Sequence, residues 1–67
     1  MVKDKIFVRI EPKFIHYIGS IMEGYEHLGV VSTVRGEKDM VIIRVTPDTY
    51  EDVLSIIENL PIQAEIV

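Results

Sequence analysis

No cysteine occurs among the 67 residues, so disulfides and thiolate metal sites are excluded. Long apolar runs are missing too. The longest uncharged stretch falls well short of the roughly 20 residues that a bilayer-spanning helix needs, and Met1-Val2-Lys3-Asp4-Lys5 leads straight into a strand pattern with no signal-peptide features. The expectation is a chain without a membrane anchor, and with no disulfide to make, a cytoplasmic one. Basic residues are in deficit: 7 Lys and Arg face 11 Asp and Glu, for a net charge of −4 and a pI near 4.9. A phosphate backbone would repel the chain as a whole, which disfavours nucleic acid as a partner. Gly29 and Gly36 are isolated and read as a helix end and a turn, so no glycine-rich phosphate loop is present.

What is present has a globular balance, 48% apolar and 27% charged, which argues against disorder. One domain over residues 1–67 accounts for the length. A chain this short buries only about 60% of the surface its unfolded form exposes. With disulfides ruled out, self-association is the expected aid to a small core.

Residues 5–11 alternate, with Ile6, Val8 and Ile10 on one side and Lys5, Phe7 and Arg9 on the other, the period of a half-buried strand. Pro12 closes it. Phe14, Ile18, Ile21, Tyr25 and Leu28 then step by four and three along one helical stripe, widened by Tyr17 and Met22, while His16, Ser20, Glu23, Glu26 and His27 collect on the solvated side. Gly29 can end that helix in the left-handed conformation. Val30–Arg35 and Met40–Val45 read as two strands of a hairpin around a Gly36-Glu37-Lys38-Asp39 turn. With Val34 set against Val41, Val30, Ser32, Val34, Val41, Ile43 and Val45 share one side, and Val31, Thr33, Arg35, Met40, Ile42 and Arg44 the other. Either Thr46 or Asp48 can cap a second helix, whose stripe is Tyr50, Val53, Leu54, Ile57 and Leu60 and which Pro61 stops. Ile62–Val67 alternates as a short edge strand.

Two short helices cannot cover both faces of a four-stranded sheet, so they share one face. Two right-handed split crossovers give an α+β, ferredoxin-like βαββαβ sandwich, a four-stranded antiparallel sheet with its first and third strands central. The other face stays open. On this reading it carries Phe7, Arg9, Val31, Thr33, Arg35, Met40, Ile42 and Arg44, including all three arginines of an acidic chain. Apolar side chains projecting from central strands usually mark a binding surface. The candidate ligand- or partner-binding residues are therefore Phe7, Arg9, Thr33, Arg35, Met40, Ile42 and Arg44. The competing reading lays the arginine stems along the sheet, with Arg9 paired to Glu65.

Catalytic chemistry is not indicated. His16 and His27 lie 11 residues apart, roughly 16 Å along a helix, too far to share a metal ion. His16, Ser20, Glu23 and His27 read as a solvated face with ordinary i,i+4 pairs. No serine or threonine has the base and orienting group that a nucleophile needs. Tyr17, Tyr25 and Tyr50 read as core residues with hydroxyls at the rim. No catalytic residue, metal ligand or cofactor is assigned.

Motifs of other families on this fold are incomplete. RNA-recognition domains stack bases on two or three aromatics of the central strands, where only Phe7 qualifies. Acylphosphatases need a glycine-rich anion loop with arginine where this chain has Glu11-Pro12-Lys13-Phe14, and metallochaperones need two cysteines in that loop. ACT domains carry an Asp-x-Pro-Gly-like turn there, of which Glu11-Pro12 keeps a part. By contrast, Val8-Arg9-Ile10-Glu11-Pro12-Lys13, the stretch Ile21–Val34 and Val45-Thr46-Pro47-Asp48 resemble a small bacterial family, domain of unknown function 4911. That resemblance implies the fold and no established activity. The expected function is a non-enzymatic interaction or regulatory module that self-associates through its open sheet face. The alternative is an ACT-like sensor of a small anionic metabolite near Arg9, Arg35 and Arg44 or at the first strand-to-helix turn, and a third, lesser reading is RNA binding on the open sheet.

Overall fold

Alternation in the first strand decides which side of the sheet becomes the interior. In the computed structural model, which describes residues 3–25 and 28–67, β1 (Lys5–Ile10) buries every second residue. A 3-10 turn at Pro12–Phe14 follows, then α1 (Ile15–Glu23), β2 (Val30–Val34), β3 (Glu37–Arg44), α2 (Tyr50–Glu58) and β4 (Ala64–Ile66). The strands form one antiparallel sheet in the order β2-β3-β1-β4. The architecture is the ferredoxin-like α+β sandwich, with β1 and β3 in the centre.

Ile6, Val8 and Ile10 of β1 and Val41 and Ile43 of β3 meet Ile18 and Met22 of α1 and Val53 and Ile57 of α2, all at most 2% exposed. A fully buried side chain of this size contributes roughly 1.5–3 kcal/mol relative to exposure. Phe14, Leu28, Tyr50, Leu54 and Leu60 pack around the rim. No buried side-chain nitrogen or oxygen is left without a partner among the described residues. The core is thus apolar throughout, as a small domain requires.

The helix limits differ from the sequence expectations. α1 ends at Glu23 with Gly24 as its right-handed cap, whose N–H donates to the carbonyls of Ile21 and Met22. Tyr25 and Leu28 therefore lie beyond the helix, and Glu26 and His27 fall outside the described residues. Gly29 is not a left-handed helix end: its φ is not positive, and its service is closeness. A Cβ there would sit 3.1 Å from the carbonyl oxygen of Arg44 and from methyls of Ile43 and Val45, so glycine lets the chain press onto β3 as it enters β2 without displacing its neighbours. Neither Thr46 nor Asp48 caps α2. Thr49 occupies the cap position without a side-chain bond to the helix. Its hydroxyl accepts from the Thr46 N–H at 3.1 Å and donates to the Leu28 carbonyl at 2.9 Å, tying the start of α2 to the loop before β2.

The hairpin corrects the expected register. Val34 pairs with Glu37 across a two-residue turn, Arg35-Gly36, in which Gly36 takes φ +84°. That positive φ is what the third position of a tight turn asks of glycine. An irregularity between Thr33 and Val34 then absorbs extra residues of β3, and Thr33 faces Val41, Ser32 faces Ile42, Val31 faces Ile43 and Val30 faces Arg44. Because side chains alternate with period two, a one-residue slip inverts a whole strand. Val31 and Thr33 turn to the helix side, while Val30 and Ser32 turn to the open face.

Candidate functional site

Three cross-strand rows build the open face. The middle row is Ser32, Ile42 and Phe7 across β2, β3 and β1. Backbone pairing of Val67 with Phe7 extends it, the Val67 N–H donating to the Phe7 carbonyl at 3.0 Å. Toward one end lie Val30, Arg44 and Lys5, and toward the other Met40, Arg9 and Glu65. Flanking side chains cover Ile42 to 9% exposure, whereas Phe7 keeps 39% and Val30 61% of its surface. The patch is therefore apolar in the middle and cationic at one end.

Of the residues assigned from sequence, Phe7, Arg9, Met40, Ile42 and Arg44 share this face. Thr33 does not: opposite Val41, it belongs to the helix side, because the slipped register inverts β2. Arg35 leaves the group as well, since it stands in the hairpin turn and not in a strand. Val30 and Lys5 take their places. The signal for Val30 was the Arg35-Gly36 dipeptide, which marks the tighter turn and with it the other register.

At its far end the face is neutralised from within. Arg9 Nη1 meets Asp39 Oδ2 at 2.8 Å. This charge-assisted bond, then the Asp39 charge, with smaller help from Glu37 and Glu65, raises the guanidinium further above its ordinary value. Glu65 stands opposite Arg9 in the ladder as anticipated, but the ion pair is with Asp39. A groove of about 350 Å³ opens here beside the first strand-to-helix turn, lined by Arg9, Glu11, Pro12, Asp39, Gln63 and Glu65 among others. Three carboxylates surround one guanidinium that is already engaged, so the local field opposes an anion. Arg44 and Lys5, at the opposite end, form no ion pair among the described residues.

His16 is exposed on α1. Its proposed companion His27 lies outside the described residues. Among the described residues no three His, Asp or Glu side chains converge as a metal group, and no helix is long and apolar enough to cross a membrane.

A four-stranded sheet with two helices on one face, a tight apolar core and a mixed apolar and cationic open face define a small ferredoxin-like domain. Within that class, the family model for a domain of unknown function (DUF4911) matches residues 8–63. The chain belongs to this family. No curated protein and no solved structure matches it.

Proposed function

We propose that this domain is a small non-enzymatic interaction or regulatory module that self-associates through its open sheet face. The observation that carries the reading is Phe7, an aromatic side chain 39% exposed on a central strand, set against Ile42 with Met40 and Val30 nearby. A central strand normally covers such a ring, and a partner sheet at the usual spacing of about 10 Å would do so. A second copy would also enlarge a core that is small for independent stability. The metabolite-sensor alternative loses support at Arg9, where Asp39, Glu11 and Glu65 gather, and keeps it only toward Arg44 and Lys5.

Sedimentation equilibrium tests the reading. Phe7→Asp, with its fold checked by circular dichroism, should halve the mass of the assembly that the wild-type chain forms at tens of micromolar. A mass that Phe7→Asp leaves unchanged would overturn it.

A further inference from the structure

The sheet has two edges, and they are built differently. β4 is three residues long, carries Glu65 and follows soon after Pro61. Shortness and charge are the ordinary means of keeping an edge from pairing. β2 is five residues, Val30-Val31-Ser32-Thr33-Val34, with no charge and no proline; its one irregularity falls at its far end, between Thr33 and Val34, so Val30–Thr33 runs without any of those protections. As the outermost strand beyond β3, it leaves one row of its amides and carbonyls without a ladder partner.

The strand is also nearly symmetric about its middle residue. Laid antiparallel on itself about Ser32, it sets Val30 against Val34, Val31 against Thr33, and Ser32 against Ser32. Facing pairs of β-branched side chains are favourable on both sides of such a ladder. Self-complementarity about a two-fold axis is what an interface between identical copies requires.

The helix layer beside β2 leaves room for this. Two adjoining grooves of about 240 and 250 Å³ run between α1 and β2, and Gly19, Glu23 and Val31 line both. The space above Gly19 is open, since a Cβ there would meet no heavy atom within 4 Å. Val31 and Thr33 thus point toward a space that α1 does not fill.

We propose that β2 docks antiparallel against the β2 of a second copy, joining two four-stranded sheets into one continuous sheet centred on the two Ser32 residues. The second copy's α1 then closes the grooves beside Gly19. This edge is distinct from the open face around Phe7, and the two contacts are compatible, because an edge dimer still presents both open faces.

Thr33 provides the test, because it is exposed and faces away from Phe7. In a Phe7→Asp background, where face-to-face contact is removed, sedimentation equilibrium should find a dimer. Adding Thr33→Lys or Thr33→Glu places like charges across the joined strands and should weaken that dimer by about tenfold or more, as edge charges do. An equimolar mixture of the two should recover it, which requires both variants to be folded. A monomeric Phe7→Asp parent, or a dimer indifferent to both Thr33 substitutions, would overturn the proposal while leaving the open-face reading intact. Conversely, a wild-type dimer sensitive to Thr33 but not to Phe7→Asp would remove the open-face reading and leave this one. If the Thr33 variants do not fold, amide exchange of the Phe7→Asp parent decides: alternate amides of Val30–Val34 should slow as concentration rises, and exchange independent of concentration would refute edge pairing.

Discussion

Ile42 and Ile43 are neighbours in β3, yet they point to opposite sides of the sheet and meet different surroundings. Ile43 is fully buried beneath the two helices, in line with Ile6 across the ladder. Ile42 lies against Phe7 and Ser32, covered only by the flanks of its neighbours. Both faces place bulky apolar side chains on the two central strands, Ile6 and Ile43 on one and Phe7 and Ile42 on the other. On one side α1 and α2 complete the core within the chain, and on the other nothing among the described residues does. The lesson is that the inner face carries the fold, while the outer face keeps apolar surface that the fold leaves uncovered.

The sharpest way to break that comparison is to remove bulk from each side. Ile43→Ala leaves a cavity in a closed core and should cost about 2–5 kcal/mol, a large share of the roughly 3–10 kcal/mol that a chain of this size commands. Phe7→Ala removes a ring that water already reaches, and should shift the urea midpoint far less while reducing self-association. Urea unfolding of both variants at one low concentration makes the comparison. Equal losses would mean that the outer face is as much a part of the fold as the inner one.

A second, smaller effect sharpens the inner side. The Thr49 hydroxyl joins α2 to the loop ahead of β2 through the part-buried Leu28 carbonyl. Thr49→Val keeps the shape and deletes the donor, so it should lower stability by about 0.5–1.5 kcal/mol. Its thermal midpoint should fall with no change in sedimented mass, since the bond lies on the helix side. A change in mass instead would connect this loop to assembly.

These contrasts also show which parts of the fold can be read from residue order. β1 was legible because its alternation is unbroken: Ile6, Val8 and Ile10 can face only one way, and β3 follows them. β2 was not, because valines stand at positions 30, 31 and 34 and small hydroxyl residues at 32 and 33, so either face looks equally fit for the core. Its direction was decided three residues away, at the Arg35-Gly36 turn and the irregular stretch of β3 beyond it. That single choice moved Thr33 off the open face and put Val30 on it. The helix ends were obscured for a related reason: the stripe of α1 continues through Tyr25 and Leu28 in sequence, although Gly24 has already ended the helix. The function of Thr49 depends on a carbonyl 21 residues earlier in the chain, a contact that no local pattern announces.

The smallest effect is expected where the outer face is most charged. Arg9 and Asp39 make a short ion pair, but the guanidinium stands in water, and pairs of that kind add little to stability because solvent screens them. The sign of any pH dependence follows from the raised value of Arg9. A group whose folded value is raised contributes below its unfolded value, and that contribution is lost only as pH climbs through the folded one. For arginine both values lie far above neutral pH. Arg9→Gln should therefore leave the thermal midpoint nearly unchanged, with the same slope against pH as the parent from about pH 5 to 9. Its effect should appear in association instead, since it frees Asp39 and makes that end of the face more acidic. A large loss of stability from Arg9→Gln would show that this end of the outer face holds the fold together, and the division between the two faces would fail there.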